Sequence, residues 1–187
     1  MSKKINSMII LCFFALCGAC FCACDEKKLE DQIILVLDET WKNPIPDNVD
    51  HLCELLDKWG YPNYFELKND EDTEIGAKII LTLYNAANSG NLNALNSLIN
   101  SSILIYRDNN IEFQEWLGEL VGHLAESRLQ DIFDCLTTKS TPTQTTILRM
   151  IKYPVNDTIK QELIQKCYSR LKEDKKYQAI YLLYESL

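Results

Sequence analysis

Residues 75–99 read IGAKIILTLYNAANSGNLNALNSLI, and the periodicity of this stretch decides the fold. Ile75, Ile79, Leu83 and Ala87 recur every four residues, which places them on one face of a helix. Gly90 ends that helix, because glycine enters the left-handed conformation that closes a helix C-terminus without steric cost. Asn91 follows at once as an N-cap, and Leu92, Leu95, Leu98 and Ile99 form the stripe of a second, shorter helix. Two short amphipathic helices joined by so tight a turn pack most readily as an antiparallel hairpin.

The same grammar extends in both directions. Toward the N-terminus, Leu29, Ile33, Leu37 and Trp41 define a helix that Pro44 and Pro46 break. Asp47, with Asp50 three residues on, is the expected cap of the next helix, whose stripe is Val49, Leu52, Leu55, Leu56 and Trp59 and whose stop is Gly60 with Pro62. Ser101 and Ser102 lead into Ile103 to Tyr106, which fits a lone strand or a helix continuation equally. Beyond it, Asn110 caps the most amphipathic segment, with Phe113, Trp116, Leu117, Leu120, Val121 and Leu124 on one face. After a bend, Ser127 to Leu136 continues with Leu129, Ile132, Phe133 and Leu136. Thr141-Pro142 reads as N-cap and first helical residue of a helix through Ile147, Leu148 and Ile151 to Pro154. Asn156 caps the next, with Ile159, Leu163, Ile164, Cys167 and Leu171, and Tyr177, Ile180, Tyr181 and Tyr184 make the last stripe.

No segment sustains period-two alternation, so the chain is expected to be all-α: short antiparallel helical hairpins stacked as a small solenoid-like domain, with an irregular helical bundle as the alternative. Leu92, Leu129 and Cys167 begin or centre similar stripes at gaps of 37 and 38, in the range of HEAT and armadillo repeats. Ala86 to Leu92 is also similar to the centre of an ankyrin repeat, although the Thr-Pro-Leu-His start is missing and no second copy follows.

With 187 residues and 47% apolar content, the chain suits one domain with a filled core. Its 19 basic and 27 acidic residues give −8; without Lys3 and Lys4 the balance is 17 against 27, or −10. That sign works against nucleic acid and anionic lipid headgroups, which are recognised through Lys and Arg patches. A protein with a basic patch is the easier partner.

Lys3 and Lys4, the apolar run Met8 to Leu16, and the small residues and cysteines through Cys24 follow the three-part plan of an export signal. Five of the eight cysteines (Cys12, Cys17, Cys20, Cys22, Cys24) lie here, and Asp25-Glu26-Lys27-Lys28 turns abruptly polar. The segment resembles a bacterial lipoprotein signal peptide, in which the cysteine after a small residue is diacylated and becomes the mature N-terminus. Cys17-Gly18-Ala19-Cys20 and Phe21-Cys22-Ala23-Cys24 are the two possible boxes, and the polar start places the boundary at Cys24. Phe21 and Cys22 stand where the family pattern has Leu and a small residue. Asp25-Glu26 is similar to the surface-export signal of Bacteroidota lipoproteins. The resemblance implies a signal peptide over 1–23, a single helical domain over 24–187, lipidation at Cys24, and attachment to a bacterial membrane, the outer membrane or cell surface being favoured. A short transmembrane anchor or ordinary secretion are the other readings of the segment, and each also puts the domain outside the cytoplasm.

The remaining cysteines, Cys53, Cys135 and Cys167, are too far apart for a zinc cluster and fall on apolar stripes as small buried hydrophobes. Glu119, His123 and Glu126 share one side of a helix, a geometry that serves an acid–base pair, and an envelope hydrolase using Glu119 and His123 is the enzymatic alternative. Asp70, Glu71, Asp72 and Glu74 are the densest acidic run and the candidate contact for a basic partner; an EF-hand's turn glycine and closing Glu are absent. No Gly-rich phosphate loop, Gly-x-Ser-x-Gly or His-Glu-x-x-His occurs, so no cofactor or metal is expected. The leading expectation is a membrane-anchored binding protein, within that class an immunity lipoprotein that neutralises a toxin; a structural or assembly lipoprotein of an envelope machine is the alternative.

Overall fold

A computed structural model describes residues 27–60, 75–107, 111–153 and 159–187. These residues form helices α1 (27–42), α2 (Pro46–Trp59), α3 (Ile75–Asn88), α4 (Leu92–Arg107), α5 (Ile111–Leu136), α6 (Thr141–Lys152), α7 (Gln161–Leu171) and α8 (Gln178–Ser186), with a 3-10 turn at Lys175–Tyr177 before the last. There is no strand among the described residues, and no helix among them is long and apolar enough to cross a membrane. The expected caps at Asn110 and Asn156, the breaker prolines Pro62 and Pro154, and the side chain of Phe113 lie outside the described residues.

The α3–α4 turn is built as its sequence requires. Gly90 has φ +105°, its N–H donates to the Ala87 carbonyl and the Asn91 N–H to the Ala86 carbonyl, each at 3.0 Å. Those two bonds satisfy carbonyls that the helix end leaves over. Asn91 Oδ1 then accepts from the Ala94 N–H at 2.8 Å, capping α4 in the next residue. Helix α4 runs through the serine pair because Ser101 and Ser102 donate to the carbonyls of Ser97 and Leu98, both at 2.7 Å. Buried hydroxyls bonded one turn back leave no reason to end the helix, so Ile103 to Tyr106 continues it.

Four expectations shift. Asp47 does not cap α2: Ile45 holds that position and Pro46 starts the helix, because a proline ring is preset for the first turn and its missing N–H costs nothing there. Asp47 contributes charge to the first turn instead. Helix α6 likewise opens one residue early, with Ser140 as N-cap and Thr141 as its first residue. Trp41, Leu92 and Leu163, read as members of buried stripes, are 49%, 60% and 39% exposed. Each stands within three residues of a helix end. Helix α7 begins at Gln161, so Ile159 is buried ahead of it and the stripe is Ile164, Tyr168 and Leu171.

Packing follows two rows. Helices α2, α4, α6 and α8 lie against one another in turn, as do α3, α5 and α7, and successive helices from α2 to α6 close the rows together. Asp38 receives the Lys78 ammonium and joins α1 to the second row. The main contacts reach no farther than the next helix but one, which is the connectivity of stacked hairpins. Side-chain bonds mark the period: Asn91 to Asp50 spans 41 residues, Lys139 to Asn96 43 and to Asn100 39, and Lys176 to Asp134 42. The repeat is therefore near forty residues, carried by polar links rather than by Leu92, Leu129 and Cys167, of which only Leu129 is buried. One continuous apolar core runs from Ile33 to Tyr184. Its last hairpin is aromatic, with Phe133 edge-on to Tyr177 at 5.9 Å and Tyr168 against Tyr184 at 4.5 Å between ring centres.

Candidate functional site

Cys24 and the run Asp70, Glu71, Asp72 and Glu74 lie outside the described residues. His123 does meet a carboxylate. Its Nδ1 is 3.1 Å from Glu126 Oε1, the same oxygen that accepts the Lys160 backbone N–H at 3.0 Å. Glu126 thus ties the entry of α7 to the middle of α5. The pair opens into a depression of about 490 Å³ that Tyr84, Asn88 and Ser127 help to line, and burial, then the charge of Glu126, pushes the Tyr84 hydroxyl pKa up. The arrangement sets imidazole and carboxylate within hydrogen-bonding distance. Among the described residues, no three His, Cys, Asp or Glu side chains converge as a metal site.

A second concavity, about 560 Å³, lies where α1 and α3 finish and α2 and α4 start. Trp41, Pro44, Pro46 and Val49 form one wall; Thr82, Asn85 and Ser89, on one face of α3, form the other. Thr40 is fully buried beside it and donates to the Val36 carbonyl at 2.7 Å, which keeps the last turn of α1 closed beneath the tryptophan. The Lys78 ammonium sits 5.6 Å from the centre of the Trp41 ring while paired with Asp38. Indole, ammonium and carboxylate therefore hold one another in place. Ile45, 44% exposed, and Leu92 extend the apolar surface on either side of the two turns.

The sequence contained a sign of this groove. A tryptophan that ends an apolar stripe immediately before Lys42-Asn43-Pro44-Ile45-Pro46 has no further helix beneath it to bury against, and two prolines fix the turn that frames it. Periodicity alone assigns such a residue to the core. No protein-family model, curated protein or solved structure matches the chain.

Proposed function

We propose that this chain is an exported, lipid-anchored binding protein whose helical stack grips another protein, and that within this class it is an immunity lipoprotein neutralising a toxin delivered into the cell envelope. The observation that carries the binding reading is the groove at the α1–α2 and α3–α4 turns, framed by a half-exposed tryptophan held by Lys78. Aromatic side chains presented rigidly at a concave surface are the residues that most often anchor protein interfaces. The lipid anchor rests on the resemblance of residues 1–24 to a lipoprotein signal peptide. An acidic surface adds charge complementarity toward a basic partner.

The test has two arms. The chain carrying an affinity tag is used to capture partners from the envelope of its native organism, beside a Trp41→Ala variant. One protein enriched by the wild type and depleted from the variant is the expected result, and no enrichment over an unrelated lipoprotein would refute the binding reading. In the second arm, cells are fed a palmitate analogue: label on the wild type and none on Cys24→Ala is expected, and an unlabelled wild type would refute the anchor.

A further inference from the structure

We infer that the groove between the α1–α2 and α3–α4 turns takes an extended segment of a partner protein in which an apolar side chain lies next to a lysine or arginine. The two walls are unlike, and each selects one part of such a segment. Trp41, Pro44, Pro46 and Val49 offer rings and methyls to an apolar side chain. Pro44 and Pro46 fix the backbone on either side of Ile45, so this wall is preformed and loses little conformational freedom on binding. Across from it, the Thr82 hydroxyl donates to the Lys78 carbonyl at 2.8 Å and the Ser89 hydroxyl to the Asn85 carbonyl at 2.9 Å. Both oxygens retain lone pairs for incoming N–H groups, and the Asn85 amide supplies a donor and an acceptor. Neutral donors and acceptors of this kind match the backbone of an extended peptide, which has no internal hydrogen bonds of its own.

Charge fixes the flanking residue. Among the described residues, no charged side chain lines the groove. Around it, however, α1 and α2 carry Asp38, Glu39, Asp47 and Asp50, against which stand, among the described residues, Lys42, Lys78 and Arg128, the last of these paired with Asp131. Lys78 is committed to Asp38 and Trp41, while Asp50 accepts from the Asn91 and Asn93 amides at 2.9 and 3.1 Å. Glu39 and Asp47 are exposed and remain to face a partner. A basic residue beside the apolar anchor meets them at the rim. A volume of about 560 Å³ is within the usual range for ligand pockets and suits a few residues of chain, not a folded domain.

This rests on the reading of the chain as a protein-binding one, and the experiment separates the two. Fluorescent nine-residue peptides with a central Lys-Leu-Ala-Leu-Lys, Glu-Leu-Ala-Leu-Glu or Lys-Gly-Ser-Gly-Lys are titrated with the full-length chain in detergent, and anisotropy is read. Saturable binding of the first peptide alone is expected, weakened at least about tenfold by Trp41→Ala and about threefold by Glu39→Gln with Asp47→Asn. Equal binding of the acidic peptide, or of the glycine–serine peptide, would overturn the proposal. So would unchanged binding in the Trp41→Ala variant. Self-association lost in that variant would put a second copy of the chain in the groove, and competition by a neutral oligosaccharide would put a sugar there; either result overturns it. If no peptide binds but both wild type and Trp41→Ala capture the same envelope protein, the groove assignment fails and the binding function stands. If neither captures anything, the function fails as well.

Discussion

Cys53 shows what burial does to a single ionisable side chain. It sits on the buried face of α2, 4% exposed, and burial is the main reason its thiol pKa is pushed up from 9.0 to about 11; nearby Asp50 and Asp57 push the same way and a bond with Ser97 opposes them. A thiol that keeps its proton longer in the folded chain than in the unfolded one stabilises the fold fully below pH 9. That contribution drains away as the pH rises toward 11, by on the order of 2 to 3 kcal/mol in all. Burial raises Tyr168, Tyr177 and Tyr184 as well, so alkaline pH weakens the last hairpin in the same direction. Urea unfolding of the wild type and of Cys53→Ala between pH 7 and 10.5 isolates the cysteine, since the tyrosines are common to both. The wild type should lose more stability above pH 9 than the variant does; parallel curves would show that the thiol is not linked to folding. This residue's burial was legible in the sequence because an apolar stripe runs through it. Cys135 was legible only in part: it is half-buried, its thiol raised by burial and 3.5 Å from Asn96 Oδ1 on the neighbouring helix, a partner that no local spacing announces.

At the scale of helices, periodicity identified the elements well and their ends less well. The reason is physical: a stripe reports which face of a helix is buried, whereas an end depends on where the neighbouring helix stops. Trp41 and Leu92 satisfy the period and lie exposed; Ser101 and Ser102 break the composition of a stripe and lie buried. The bend expected before Ser127 falls at Arg128, whose φ of −123° and ψ of 21° leave the helical range. Its guanidinium lies 3.4 Å from where a Cβ on Gly90 would stand and pairs with Asp131 at 2.9 Å, so the bend turns this arginine onto the α3–α4 turn. Close approach on α5 was not legible at all. Gly118 and Gly122 stand one turn apart; a Cβ on the first would touch Met150, and on the second would come 2.4 Å from Ile159 Cδ1. Overpacking against Ile159 costs about 1 to 3 kcal/mol, offset by about 1 kcal/mol of helix propensity, so Gly122→Ala should destabilise by about 0 to 2 kcal/mol net. Ile159→Ala alone should also destabilise, by opening a cavity. Because one change fills the space that the other vacates, the double variant should be more stable than the sum of the two by about 0.5 kcal/mol or more. Additive losses in chemical denaturation would mean that the two residues do not share that space.

For the whole molecule, the stack's two ends differ in what they can do. The start of α1 and the finishes of α2, α4, α6 and α8 share one end, as the Lys152 bond to the Tyr184 carbonyl and the Tyr153 bond to the Leu187 carbonyl, both at 2.8 Å, illustrate for α6 and α8. The groove lies at the other. Helix α1, residues 27–42, is about 24 Å long at 1.5 Å per residue, which is about three Debye lengths at physiological salt. Glu39 and Asp47 stand in the last turn of α1 and the first turn of α2, which border the groove, and should act directly on a segment in it. Changing Asp70, Glu71, Asp72 and Glu74 to Asn or Gln should slow association with the partner less than changing Glu39 and Asp47 does, and stopped-flow rates in low and high salt would rank the two. With the proposed lipid anchor, the same separation would orient the domain on a membrane. Only Asp25 and Glu26 lie between Cys24 and Lys27, the first described residue of α1, a reach of about 10 Å at full extension, so the lipid proposed on Cys24 would hold that end of α1 at the headgroups and point the groove outward. Lys58, near the finish of α2, and Asn43, in the turn beside the groove, are both exposed and lie at opposite ends. With a donor dye on a non-natural residue at one or the other position and an acceptor at the bilayer surface, energy transfer should be strong from position 58 and weak from position 43. Cys24→Ala should abolish both signals. Equal transfer from the two positions would show a domain lying on its side, and stronger transfer from position 43 would turn the groove toward the membrane and leave it closed to a partner arriving from outside.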